Sequence, residues 1–133
     1  MIIGTNLIPG YQRDDWRGIA RTLPASTAGT VIVGPRFSSS TLSVYRGGLQ
    51  GVQPASVTTR EIDFIALRTR QTGKAPSPPV LPSTGPAGFT PIGATRTESF
   101  AISRFQAPTA RTVDSQTLRR LAGDREAELV IER

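Results

Sequence analysis

The side chains best suited to chemistry in this chain are three pairs of nearby carboxylates: Asp14 with Asp15, Glu61 with Asp63, and Glu126 with Glu128. A glycosidase needs two carboxyl groups that face each other across a substrate. Asp14 and Asp15 are explained by the start of a helix, and Glu61 and Asp63 share one face of a predicted strand with no visible partner. We therefore expect each pair to cap a helix or to be solvated, which is the ordinary role of surface carboxylates.

Two residue types that often carry catalysis and metal binding are missing. The 133-residue chain has no histidine and no cysteine. Their absence excludes Ser–His triads, disulfides and zinc sites built on thiolate or imidazole ligands. The glycines from Gly4 to Gly10 lack the Lys-Ser or Lys-Thr of a phosphate-binding loop, and no dinucleotide fingerprint occurs. We predict no complete catalytic site, no metal site and no cofactor in this chain.

The charge of the chain favours an anionic partner. The net charge is +6, and Lys74 is the only lysine among the 16 basic residues. Arginine is the cation best suited to phosphate groups, although an arginine bias also follows the base composition of a GC-rich genome. The arginines are dispersed and no stacking-aromatic motif accompanies them, which argues against nucleic acid. Phosphate groups or an anionic membrane surface remain as candidates.

Six residues are candidates for binding a ligand: Arg13, Trp16, Arg17, Arg36, Tyr45 and Arg46. Arg36 lies between a predicted strand and a serine-rich helix start, which suits an anion, although a plain serine cap is the alternative. Trp16 could stack on a sugar, but its place on an apolar helix stripe favours core packing. Arg13 and Arg17 could bind phosphate or form surface ion pairs. Tyr45 and Arg46 extend the same basic edge.

The first half of the chain reads as alternating helix and strand. Trp16, Ile19, Ala20 and Leu23 form one apolar helix face, with Asp14 as the predicted N-cap. A β-branched run at 29–33 predicts a buried central strand, and a second helix runs from the serines at 38–40 to Tyr45. A strand follows at 61–67. This order predicts an α/β fold, with a small, mainly parallel sheet flanked by helices.

The second half reads as a hairpin, a short helix and a last strand. Strands at 88–95 and 99–105 flank a polar turn, and Pro91 makes the first of them an edge. Asp114 is the predicted N-cap of the short helix, and Gly123 is its predicted stop. Residues 70–88 are a proline-rich internal connection within a single domain that spans 1–133. No stretch approaches the roughly 20 apolar residues of a membrane span.

A family resemblance rests on four stretches of the sequence. Residues 11–20 read YQRDDWRGIA and resemble a signature that follows the last membrane helix of bacterial polytopic glycosyltransferases of the GT-C class. Residues 42–49 and 60–68, and the tail from 88 to 108, are similar to actinobacterial members of this mannosyltransferase-like group. The four stretches are spread over residues 11–108, a span that takes in most of the chain.

The resemblance implies a C-terminal domain on the extracytoplasmic face of the bacterial cell membrane. In that family the catalytic Asp lies on a loop near the start of the membrane part, and no position here corresponds to it. The domain would then support acceptor binding or the membrane core of an enzyme that uses a polyprenyl-phosphate sugar. Its partners would be the membrane-embedded part of the parent protein and a glycan or the lipid-linked sugar. The alternative is a stand-alone module that binds an anionic partner.

Overall fold

The computed structural model describes residues 10–23, 29–35, 38–45, 47–67, 81–97, 100–123 and 126–132. These residues build one six-stranded sheet with helices on both faces. In chain order the elements are α1 (Gly10–Thr22), β1 (Thr30–Gly34), α2 (Ser38–Tyr45), β2 (Leu49–Val52), β3 (Ser56–Leu67), β4 (Thr90–Arg96), β5 (Phe100–Asp114), α3 (Ser115–Ala122) and β6 (Glu128–Glu132).

The sheet is mixed, and the expectation of a mainly parallel sheet flanked by helices is wrong. The strand order is β2-β6-β1-β3-β5-β4. β1 and β3 run parallel, whereas the other four neighbouring pairs are antiparallel. The structure is mostly β, with three short helices among the described residues. A short apolar run indicates burial on both faces of a strand but does not give its direction, and β2 had no recognisable pattern.

One face of the sheet packs against α3 and against the segment before β4. Val33, Phe64 and Phe105 form the middle of this core, with Leu118 of α3 above them. The Phe64 and Phe105 rings meet edge to face, with centroids 5.7 Å apart. We call this cluster the α3-side core.

The opposite face packs against α1 and α2. Trp16 and Ile19 of α1 join Ile32, Ile65 and other buried apolar residues in this second cluster, which we call the α1-side core. α2 lies over β2 and β6, whereas α1 contacts β5. A Cβ on Gly18 would lie 2.9 Å from Cε2 of Phe100, so this glycine allows α1 to approach β5 closely.

Both edges of the sheet are short or irregular. β2 has four residues, and β4, which is exposed along its whole length, has a register shift between Pro91 and Gly93. The predicted edge position of the strand that holds Pro91 is confirmed, because β4 ends the sheet order. The hairpin turn is closed by Thr97, whose backbone N–H donates to the Phe100 carbonyl at 2.8 Å.

The predicted starts and ends of the helices were partly right. Asp114 precedes α3 in extended conformation without a side-chain cap hydrogen bond, and Gly123 ends that helix at φ 71° as predicted. The predicted N-cap at Asp14 is wrong, because α1 begins at Gly10 and Asp14 lies inside it. An apolar stripe fixes the buried face of a helix but not its first turn. Within the proline-rich connection, 81–88 forms no strand or helix, and 70–80 lies outside the described residues.

Candidate functional site

The pairing of β3 with β5 brings three charged side chains together on the α1 side of the sheet. Asp63 pairs directly with Arg104, and Glu61 lies two residues earlier on the same strand face. Ile65 and Ile102, two residues farther along the two strands, belong to the α1-side core. Residues two apart in a strand point to the same face, so the charged group continues this apolar stripe. We call Glu61, Asp63 and Arg104 the carboxyl–arginine cluster.

A bulge in β3 fixes the start of this cluster. The register of β3 against β5 shifts between Thr59 and Glu61. The Thr59 hydroxyl lies 2.6 Å from the Gly29 carbonyl oxygen and accepts the Glu61 backbone N–H at 3.3 Å. Because one hydroxyl ties the loop before β1 to the bulge, the backbone that carries Glu61 is held from both sides.

Arg104 forms a hydrogen bond with only one of the two carboxylates, that of Glu61. Its Nε donates to Oε2 of Glu61 at 3.1 Å, whereas Oδ1 of Asp63 lies 3.7 Å from the same nitrogen. The second distance allows electrostatic attraction but is too long for a hydrogen bond. The Asp63 side chain is fully buried, and as a carboxylate neither of its oxygens accepts a hydrogen bond; only the protonated acid can form one, by donating to Glu61. An ionised Asp63 would therefore carry an unsatisfied buried charge.

The surroundings of Asp63 favour its protonated form. The pKa of Asp63 is raised from 3.8 to about 8. Burial is the largest cause, followed by a hydrogen bond from the protonated acid to Glu61 and by repulsion from the Glu61 carboxylate. Attraction from Arg104 lowers the pKa but does not outweigh these causes. The pKa of the Arg104 guanidinium is also raised, first by its hydrogen bond to Glu61. Near neutral pH the cluster therefore holds a neutral Asp63 beside a charged Arg104–Glu61 pair.

The cluster suits proton binding better than attack on a substrate. Asp63 has no exposed surface, and the Glu61 side chain is 12% exposed. A general acid must reach the group that it protonates, and a fully covered carboxyl does not. Among the described residues, no group of three or more acidic side chains is placed to hold a metal ion. What this arrangement can do is exchange one proton near neutral pH.

The predicted solvation of Glu61 and Asp63 is wrong, because both side chains are buried beside Arg104. Sequence reasoning missed Arg104 as their partner, although the alternation of Phe100, Ile102 and Arg104 placed it on an apolar face. A charged residue on a buried stripe needs an opposite charge nearby, and that requirement was the available clue.

The structure describes the side chains of three of the six predicted ligand-binding residues: Trp16, Arg17 and Tyr45. Trp16 is 7% exposed and packs in the α1-side core, as its position on the apolar stripe predicts. Arg17 is exposed, and Tyr45 is half-buried against the same core. Arg36 and Arg46 lie outside the described residues, as does the side chain of Arg13. The anion site at Arg36 stays a prediction.

Comparisons with protein-family models, curated proteins and solved structures give no match to this chain. No helix among the described residues is both long and apolar enough to cross a membrane.

Proposed function

We propose that this chain is an extracytoplasmic accessory domain of a bacterial membrane glycosyltransferase of the GT-C class that uses a polyprenyl-phosphate sugar. The sequence resemblance of residues 11–20 to the segment after the last membrane helix of such enzymes carries the proposal. The domain would support acceptor binding or steady the membrane core, while the parent protein supplies the catalytic Asp.

The location of the resembling stretches is compatible with a structural role. Residues 11–20 lie in α1, 60–67 lie in β3, and the tail from 88 to 108 covers β4 and most of β5. These elements surround the carboxyl–arginine cluster and the α1-side core. A resemblance concentrated in packed elements is what a shared scaffold requires, whereas a shared active site would require accessible polar side chains.

The test compares the parent protein with and without this domain. Membranes that contain the full reading frame, or the frame with residues 1–133 deleted, are assayed for transfer of labelled mannose from polyprenyl-phosphate mannose. We expect transfer by the parent, reduced acceptor kcat/KM or reduced protein level after deletion, and no transfer by the isolated domain. A reading frame without membrane spans would overturn the proposal, and so would transfer by the isolated domain.

One observation favours the alternative, a module that binds an anionic partner. Arg17 and Arg21 are exposed one helical turn apart on α1. Vesicles that contain anionic lipid provide the probe, with Arg17→Gln/Arg21→Gln as the test variant. Arg111→Gln/Arg120→Gln removes the same charge from exposed positions on the α3 side. Salt-sensitive binding that only the first variant loses supports this alternative, whereas equal losses would indicate that net charge alone is responsible.

A further inference from the structure

The carboxyl–arginine cluster places a buried acid on the face of the sheet that carries α1 and α2. Asp63 lies on β3 between Ile32 of β1 and Arg104 of β5 in the sheet register. α1 is the helix that contacts β5 and adds Trp16 and Ile19 to the core on this face. A fully buried carboxyl group whose two oxygens accept no hydrogen bond is rare in a folded protein and calls for an explanation.

The described side chains around Asp63 offer it no second cation. On β3 its charged neighbour is Glu61, and on β5 it is Arg104, which donates to Glu61. The neighbouring β1 residues on this face, Thr30 and Ile32, are uncharged.

Among the helix side chains that the structure describes on this face, none is a buried cation. The described basic side chains of α1, Arg17 and Arg21, are exposed, and the titratable side chain of α2 is the half-buried Tyr45. Within this part of the chain, Arg104 is thus the single cation close to Asp63, and its Nε already donates a hydrogen bond to Glu61.

Ionisation of Asp63 therefore creates a charge that the closed structure does not satisfy. If Arg104 turned toward Asp63, Glu61 would lose its hydrogen-bonded partner in a largely buried position. Water could also satisfy the ionised Asp63, but it reaches this carboxylate only if a helix on this face of the sheet moves away. On this face α2 lies over β2 and β6, whereas α1 contacts β5, the strand next to β3, so α1 is the helix nearer to Asp63. The α3-side core lies on the opposite face and does not depend on α1.

We propose that Asp63 is a pH-sensitive switch: the protonated acid keeps α1 packed on the sheet, and its deprotonation releases α1 while the sheet and α3 stay folded. The closed state binds the Asp63 proton more tightly than the open state does. Because of this linkage, raising the pH favours the open state. The raised pKa of Asp63, about 8, sets the pH near which the change is complete. The equilibrium constant for opening should rise about tenfold per pH unit until that pKa is passed.

The chain contains its own reporter for this movement. Trp16 is the single tryptophan and lies buried in α1. Acrylamide quenching and the emission maximum of Trp16 are measured from about pH 6 to about pH 9, with far-UV circular dichroism to follow overall folding. We expect quenching to increase and the emission to shift to the red at the alkaline end, with most of the dichroism signal retained.

Three variants make the test specific. Asp63→Asn keeps the neutral shape, so Trp16 should stay protected across the range. Glu61→Gln frees Arg104 to pair with ionised Asp63, so Trp16 should also stay protected. Asp114→Asn makes the same chemical change at an exposed position and should behave like the wild type. Constant wild-type quenching, or the wild-type increase in Asp63→Asn, would overturn the proposal, as would loss of dichroism together with the Trp16 change.

Discussion

The buried acid at Asp63 makes the stability of this protein depend on pH in an unusual direction. Most carboxylates in folded proteins are paired, and they stabilise the fold as pH rises above their unfolded pKa. Asp63 has a folded pKa raised from 3.8 to about 8, so the fold prefers its protonated form. Its contribution is therefore fully present below about pH 4 and is lost progressively as pH rises to about 8.

The size of this loss follows from the pKa difference. The interval between 3.8 and about 8 is about four pKa units. Each unit is worth about 1.4 kcal/mol, so ionisation of Asp63 lowers the free energy of unfolding by about 6 kcal/mol if the surroundings do not relax. Release of α1 would let water reach the carboxylate and would reduce this loss. Domains of this size are stable by about 5–15 kcal/mol, so even half of the effect is measurable.

Asp63→Asn is the direct test of this dependence. Urea unfolding is followed by circular dichroism at several pH values between about 5 and about 9. We expect the wild type to lose several kcal/mol across this range and Asp63→Asn to lose much less, so that the variant is the more stable protein at the alkaline end. At the acidic end the variant should lie within about 1 kcal/mol of the wild type, because it replaces one neutral group by another. Parallel pH profiles for the two proteins would refute the reasoning, and Asp114→Asn serves as the matched control.

Three further tests of individual contacts use urea unfolding, two of them with a matched glycine control. Arg104→Met leaves a buried carboxylate without its cation and should cost roughly 2 kcal/mol near pH 6, whereas an unchanged stability would mean that the ion pair is dispensable. Gly18→Ala gains about 1 kcal/mol of helix propensity but should lose more, because its Cβ would overlap with the ring of Phe100. Gly47→Ala has open space around its Cβ and should change the stability little. Gly88→Ala and Gly48→Ala each place a β-carbon at positive φ and should each cost about 1 kcal/mol, because the exposed Arg111 side chain beside Gly88 can move away. Equal effects of Gly18→Ala and Gly47→Ala would contradict the packing described, and so would a much larger cost at Gly88 than at Gly48.

The predictions that succeeded are those in which residues along the chain determine the structure directly. The stripe from Trp16 to Leu23 forms a helix, and the short run before Gly34 forms a strand near the middle of the sheet. Gly123 ends α3, and Pro91 lies on an edge. Periodicity, missing N–H groups and left-handed backbone act within a few residues, so they are visible without knowledge of the fold.

The features that were not predicted depend on contacts between distant segments. β6 enters the sheet antiparallel to β1, and nothing in the composition of either strand specifies that direction. Arg104 reaches Glu61 only because β5 pairs with β3 in one particular register. A shift of one residue would have placed Arg104 on the other face, so the candidate site could not be assigned until the register was known.

The two irregular edges of the sheet bear on how copies of this domain meet one another. A neighbouring chain that tried to extend the sheet beyond β4 would find a missing N–H at Pro91 and a register shift at Ile92. Beyond β2 it would find four residues, of which Gly51 is one. Neither edge offers the long, flat ladder on which strands from separate molecules aggregate. Many copies held close together should therefore remain separate molecules.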